Sequence, residues 1–247
     1  MGNTLVENHP KYDRGFGPFY NKLFQYINPT TLIEIGVGIG VCPIAWANTF
    51  PDATIVGIER GSPVYSHCFD QDLTFRQNYY TQQCMEEISR LPMREQNRIH
   101  IHFNRDGYSK EVADEALDAY GQLPFIIDDG KQNGLVHKEF LANWKQNITP
   151  DGLLIRERAF RYPGFPGMRM NQTRKALHNG WVLVDCRAFI ADPQQGEPPN
   201  QQGMIAFWTQ EKELWISRFK DDFDLYTDQE YDKLLETGCL LEEDPCH

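Results

Sequence analysis

Residues 32–40 read Leu32-Ile33-Glu34-Ile35-Gly36-Val37-Gly38-Ile39-Gly40, and after a break at Pro51-Asp52 the chain continues Ala53-Thr54-Ile55-Val56-Gly57-Ile58-Glu59. The run Thr31 to Ile35 is almost continuously apolar, as expected of a parallel strand buried on both faces. Gly36, Gly38 and Gly40 follow it. Glycine permits a tight turn and lets a ligand approach the backbone closely. Val41 to Phe50 predicts a helix, with Pro43 in the first turn, where its missing N–H does no harm. Ala53 to Ile58 predicts a second strand. Strand, glycine turn, helix, strand is a βαβ unit.

Upstream, Phe16, Phe19, Tyr20, Leu23, Phe24 and Ile27 recur at helical spacing and predict a helix from Pro18 to Tyr26. Asn28-Pro29 ends it. Downstream, residues 64–95 are polar and aromatic, with a helix expected over Thr81 to Arg90. Strands are expected at Ile99 to Phe103, Pro124 to Ile127 and Gly152 to Ile155. Helices alternate with them at Lys110 to Tyr120, Val136 to Trp144 and Met170 to His178. Trp181 to Phe189 and Met204 to Thr209 predict an antiparallel hairpin around a long Pro, Gln and Gly-rich loop. The acidic tail carries apolar anchors and predicts a short helix around Asp228 to Thr237. Alternating units followed by a hairpin imply an α/β fold, a doubly wound and mostly parallel sheet with a reversed C-terminal strand at its edge. We divide the chain into an aromatic cap over residues 1–30, an α/β domain over 31–210 and an acidic extension over 211–247.

The bulk properties narrow the function. A formal net charge of -11 disfavours nucleic acid, whose binding is led by phosphate contacts, and points to a small-molecule partner. No apolar run approaches the roughly 20 residues of a bilayer span. Met1 to Lys11 has no apolar signal core, so a cytoplasmic location is expected. Six cysteines form no C-x-x-C pair or zinc spacing and are expected as free thiols, several of them buried. A homo-oligomer is left open.

The glycine spacing identifies the ligand class. A dinucleotide site needs G-x-G-x-x-G to seat a pyrophosphate on the helix N-terminus. Here the spacing is G-x-G-x-G, with Glu34 two residues before the first glycine. An acid there suits a cationic group, such as the amino group of S-adenosylmethionine. Glu59, ending the second strand, suits the two hydroxyls of a ribose.

These segments, with Phe125-Ile126-Ile127-Asp128-Asp129-Gly130, resemble class I S-adenosylmethionine-dependent methyltransferases over Tyr12 to Phe160. The resemblance is nearest to the macrocin and mycinamicin sugar O-methyltransferase group. It implies a seven-stranded Rossmann-like sheet and places Asp106 near the adenine. That group carries Asp-Asp-Gly-Ser-His after the fourth strand, the second Asp holding magnesium and the His acting as base. This chain reads Asp128-Asp129-Gly130-Lys131-Gln132, so the base is missing. After the fifth strand the group has Glu-Asp, and this chain has Glu157-Arg158. The resemblance therefore leaves magnesium open as a second cofactor, with a guanidinium where a metal-side acid is expected; no metal ligand is assigned.

The expected cofactor residues are Glu34, Gly36, Gly38, Gly40, Glu59, Arg60, Asp106 and Asp128. Asp129 and Tyr20 are the catalytic candidates, Asp129 as base or orienter. Tyr12, Tyr20 and Tyr108 are candidates to cap a sulfonium through their ring faces. Tyr12, Lys131, Arg156 and Arg158 are the expected substrate contacts; by period two, Arg156 and Arg158 share a face of an extended segment and suit an anionic group. His100 and His102 share a strand face with no third ligand evident. The leading expectation is methyl transfer to a small polar metabolite. Aminobutyl transfer or cyclisation releasing methylthioadenosine, and a non-catalytic cofactor-binding module, stand as alternatives.

Overall fold

The computed structural model describes residues 3–12, 14–38, 40–60, 83–130, 136–157, 175–190 and 204–231, the side chains at 136, 137 and 187 apart. Lys131, Gln132 and Arg158, the 191–202 loop, most of 64–95, and Cys68, Cys239 and Cys246 therefore lie outside the described residues, as does the tail beyond 231. Of the rest, Cys42, Cys84 and Cys186 are free thiols, the last two buried.

The first units are α1 (Gly17–Leu23), β1 (Thr31–Ile35), α2 (Val41–Thr49) and β2 (Thr54–Glu59). A helix at 83–89, α3, and a single turn α4 (Met93–Gln96) lead to β3 (Ile99–Phe103). Next come α5 (Lys110–Tyr120), β4 (Leu123–Asp128), α6 (Val136–Trp144) and β5 (Ile148–Glu157). A helical turn at 175–178, α7, precedes β6 (Val182–Asp185), β7 (Met204–Trp208), α8 (Lys212–Phe219) and β8 (Asp224–Tyr226).

The strands form one sheet in the order β3-β2-β1-β4-β5-β7-β6-β8. β1 to β5 pair in parallel, and β7 runs antiparallel between β5 and β6. The expected doubly wound sheet is present, with one correction. The reversed strand of the hairpin, β7, is interior, and the edge is a further reversed strand, β8, paired with β6. β8 is three residues long, too short for its alternation to be read in the sequence. The chain turns from one half of the sheet to the other between β1 and β4. Ligands of such sheets bind at that switch, beyond the carboxyl ends of the strands.

Two apolar layers cover the sheet. One holds Phe16, Phe19 and Phe24 with Trp46, Phe50, Trp215 and Phe219. The other holds Val112, Ala113, Phe140, Trp144 and Trp181. Alternation along each strand decides which layer a side chain enters. Leu32, Phe125, Ile127, Leu153 and Ile155 enter the first, and Ile33, Ile35, Ile126 and Leu154 the second. The same alternation carries Glu34 and Glu157 to the first layer and Asp128 and Arg156 to the second. This sorting of charged residues shapes the site.

Candidate functional site

At the carboxyl end of β1 the chain turns through glycines with left-handed φ at Gly36 (86°), Gly38 (53°) and Gly40 (86°). Each has its own reason. A Cβ on Gly36 would lie 2.5 Å from Gly130 Cα, so the loops after β1 and β4 touch backbone to backbone there. A Cβ on Gly40 would lie 2.4 Å from Cys84 Sγ. A Cβ on Gly38 would meet nothing within 4 Å among the described residues, which leave the space over this turn open. Gly38 donates its N–H to Glu59 Oε2 at 2.9 Å, which fixes the buried carboxylate at the end of β2 against the turn. Arg60 and Asp106 form an ion pair at 3.4 Å with both side chains largely exposed. The loop after β3 is held from behind. Trp144 Nε1 donates to the Gly107 carbonyl and Asn143 Nδ2 to the Tyr108 carbonyl, each at 2.7 Å. The expected residues Gly36, Gly38, Gly40, Glu59, Arg60 and Asp106 are thus gathered at the ends of β1, β2 and β3.

Beneath this rim lies a buried charge cluster that the sequence reading did not anticipate. Lys11 is fully buried. Its Nζ lies 2.9 Å from Glu34 Oε1, 3.2 Å from Asp129 Oδ2 and 2.7 Å from Glu157 Oε2. Arg14 adds a second cation, its Nη1 2.5 Å from Asp129 Oδ2. Trp46 Nε1 donates to Glu34 Oε2 at 3.1 Å, and the Tyr20 hydroxyl donates to Glu157 Oε1 at 2.5 Å. Burial alone would lower the pKa of Lys11; the surrounding carboxylates outweigh it and hold the ammonium charged well above its ordinary range. Burial, opposed by Lys11, pushes Glu34 up to about 7 and also raises Glu157. Three acids thus share two cations, and the raised pKa of Glu34 lets it take up a proton close to neutral pH.

On the opposite face, Asp128 accepts from the Tyr108 hydroxyl at 2.6 Å and from the Gly130 N–H at 3.0 Å. Arg156 is its register partner on β5, with Nε 3.2 Å from Asp128 Oδ2. Both side chains are 2% exposed or less.

These positions revise several expectations. Arg156, expected as a substrate contact, is turned by alternation into the second layer, buried beside Asp128. Tyr20, expected as a catalytic residue, is fully buried with its hydroxyl on Glu157, and burial together with Glu157 raises its pKa well above the ordinary value. Glu34 and Asp128, expected against the cofactor, are buried; both Glu34 oxygens and Asp128 Oδ1 accept from protein donors, and Asp128 Oδ2 lies against Arg156. Tyr12 packs its ring over Gly17 and accepts from Asn21 Nδ2 at 2.8 Å, remaining partly exposed. Asp129 sits at the junction of the cluster and the rim. His100 and His102 are exposed on the edge strand β3. The residues missed were Lys11, Arg14, Trp46 and Glu157.

The cluster does not fit a magnesium ion. Glu34, Cys42 and Asp129 do bring ligand atoms within 4.8 Å of one another. However, the Lys11 ammonium already contacts both carboxylates, and a dication there would face it at close range. Burial also pushes the Cys42 thiol up to about 12, so it stays protonated, and magnesium prefers hard oxygen ligands.

No family model and no curated protein matches the chain. Solved structures do. MycE methyltransferase from the mycinamycin biosynthetic pathway, in complex with Mg and SAH, superposes with a TM-score of 0.51 at 19% identity, over 85% of this chain and 54% of that one. A putative caffeoyl-CoA O-methyltransferase from Staphylococcus aureus matches at TM-score 0.46 and 15% identity, over 77% of this chain and 80% of that one. Precorrin-6y C5,15-methyltransferase from Geobacter metallireducens matches at 0.46 and 12%, over 83% and 90%. This chain spans about half the length of the MycE structures. The likeness establishes the fold: the α/β domain has the Rossmann-like architecture of methyltransferases.

Proposed function

We propose that this chain binds S-adenosylmethionine at the carboxyl ends of β1, β2 and β3 and transfers its methyl group to a small polar acceptor. The observation that carries this reading is the pairing of the open, left-handed Gly38 turn with Glu59. A glycine there keeps the space above the turn free, and its N–H orients a carboxylate suited to a vicinal diol. When bound, the cofactor supplies an electrophilic methyl on a sulfonium. Gly36 to Gly40 would face its amino-acid portion, Glu59 the ribose, and the Arg60 and Asp106 rim the base. Glu34 supports this site from below.

The chain contributes position more than acid–base chemistry. Holding a nucleophile in line at near-attack distance lowers a displacement barrier without proton transfer. Asp129 is the orienting group, and the cations of Lys11 and Arg14 weaken it as a base. An amine or carboxylate acceptor suits such a site better than a hydroxyl. A small-molecule acceptor also agrees with the net charge of -11.

The test is incubation of the full chain with S-adenosylmethionine and identification of products by mass spectrometry, with a calorimetric titration of S-adenosylhomocysteine. Tight S-adenosylhomocysteine binding, and its appearance as by-product once an acceptor is added, support methyl transfer. Methylthioadenosine as by-product replaces it with aminobutyl chemistry. No heat and no thermal shift with either cofactor form sinks the reading.

A further inference from the structure

We propose that Lys11 is the resident cation of a three-carboxylate cage built by β1, β4 and β5, and that it positions Asp129 without any divalent metal. The cage itself is independent of methyl transfer; only the place of Asp129 beside an acceptor rests on that reading.

The coordination around Lys11 Nζ is that of a bound ion. An ammonium has three N–H donors. Three carboxylate oxygens meet it at 2.7, 2.9 and 3.2 Å, one each from Glu157, Glu34 and Asp129. These residues stand at or just past the ends of three neighbouring strands and are 23, 118 and 146 positions from Lys11 in sequence. Lysine is almost never fully buried unless paired. Here every donor is met by a carboxylate oxygen.

The cage is also braced from outside. Trp46 on α2 takes the second oxygen of Glu34, and Tyr20 on α1 takes the second oxygen of Glu157. Two of the three carboxylates are therefore held at both oxygens. The turn that delivers Lys11 is pinned too. Its carbonyl accepts from the Phe16 N–H at 2.9 Å, and its N–H donates to His9 Nδ1 at 3.2 Å. Convergent oxygens on separate rigid strands are what a hard divalent ion needs. In this chain the N-terminal segment supplies the charge instead. Asp129 is the carboxylate that borders the proposed acceptor site, so the cage fixes the group nearest the chemistry.

The experiment uses manganese as an oxygen-seeking paramagnetic probe on the full chain. Wild type, Arg14→Gln, Lys11→Arg, Asp129→Asn, Lys11→Ala/Arg14→Gln, Lys11→Met/Arg14→Gln and Lys11→Ala/Arg14→Gln/Asp129→Asn are titrated with Mn2+ by electron paramagnetic resonance, with melting temperatures measured in parallel; Arg14→Gln removes the second cation on Asp129 Oδ2. Wild type, Arg14→Gln and Lys11→Arg should show no bound Mn2+ that Asp129→Asn removes. Lys11→Ala/Arg14→Gln should gain one site, its melting temperature rising by about 3 °C or more with Mn2+, and the triple variant should lose it. A bulk loss of packing would lower stability without creating an Asp129-dependent metal site. An Asp129-dependent Mn2+ site in wild type or in Arg14→Gln overturns the proposal. So does a folded Lys11→Ala/Arg14→Gln or Lys11→Met/Arg14→Gln chain indifferent to Mn2+. No arm uses S-adenosylmethionine, so failure here is distinct from failure of the methyl-transfer reading.

Discussion

Gly38 donates its backbone N–H to Glu59 Oε2 at 2.9 Å, tying the turn after β1 to the end of β2. The bond holds the carboxylate against the turn, in the place proposed for the ribose. Glu59→Gln keeps an acceptor oxygen for Gly38 and removes the charge. The fold should survive. Affinity for S-adenosylhomocysteine should fall by about 10- to 100-fold, which corresponds to the ~1.5–3 kcal/mol of hydrogen bonds to a charged group. Calorimetric titration against wild type decides it, and unchanged affinity would remove Glu59 from the site.

The two neighbouring glycines should separate folding from binding. Gly36→Ala places a methyl 2.5 Å from Gly130 Cα and must push two loops apart. Loss of stability by several kcal/mol, or of soluble protein, is expected. Among the described residues Gly38→Ala meets no atom within 4 Å and carries the strain of a left-handed residue, about 1 kcal/mol. Its methyl nevertheless points into the space proposed for the cofactor. A melting temperature close to wild type with at least tenfold weaker S-adenosylhomocysteine binding is expected. Wild-type binding by Gly38→Ala would mean that glycine serves the turn alone.

Much of this frame is legible in the sequence because it is local. The βαβ unit follows from an apolar run, three glycines and a Pro-Asp break, and the structure keeps its boundaries to within one residue. α5 and α6 fall where the periodicity puts them. The charge cluster was not legible because most of its bonds span more than a hundred residues and Lys11 lies in a segment without periodicity. A partial signal was available. Alternation along β1 and β5 sends Glu34 and Glu157 to the same layer as Leu32, Phe125 and Leu153, and buried acids there demand a cation. The same alternation places Arg156 beside Asp128. Read as period two within one strand, it shows only that Arg156 and Arg158 share a face, not which face. Register with β4 supplies the rest.

The Asp128–Arg156 pair gives a prediction with a pH signature. Arg156→Met leaves a buried carboxylate without its cation and should cost about 3–5 kcal/mol near pH 7. Burial already raises the Asp128 pKa in the presence of Arg156, and removal of the guanidinium raises it further. A carboxyl group with a raised folded pKa is most stabilising when protonated, and that contribution fades as pH rises through the folded pKa. The deficit of Arg156→Met relative to wild type should therefore shrink between pH 7 and pH 5, as read by urea denaturation. A substrate-binding arginine would instead leave stability unchanged and weaken only acceptor binding.

Tyr20→Phe tests the bracing role of the hydroxyl. The variant removes one short hydrogen bond to buried Glu157 and should cost about 1.5–3 kcal/mol of stability, typical of a bond to a charged group. S-adenosylhomocysteine affinity and any methyl transfer should stay within about twofold, because the ring remains packed against Phe19, Phe24 and Trp46. Denaturation and turnover measured together separate the roles. A large loss of turnover with intact stability would return Tyr20 to the chemistry.

His9 sets a limit on acid stability. It is buried, its ring centroid is 4.2 Å from that of Trp46, and its Nδ1 accepts from the Lys11 N–H. Burial, and then the Lys11 charge, lower its pKa from 6.5 to about 3. The folded protein thus keeps His9 neutral at pH values where the unfolded chain protonates it. The resulting stability is present above pH 6.5 and is lost as pH falls from 6.5 towards 3. One proton corresponds to about 1.4 kcal/mol per pH unit across that window. Glu34 acts in the opposite direction, its raised pKa favouring the folded state on acidification below about 7. The two are separated by comparing wild type with His9→Phe, in which Glu34 is common to both. The stability of wild type minus that of His9→Phe should be constant above pH 7 and then decline by about 1.4 kcal/mol per unit between pH 6 and pH 4. Urea denaturation at pH 7.5, 6, 5 and 4 measures it. Parallel curves for the two proteins would show that His9 protonates in the folded state as readily as in the unfolded one, and that the neighbouring Lys11 ammonium does not exclude a second charge.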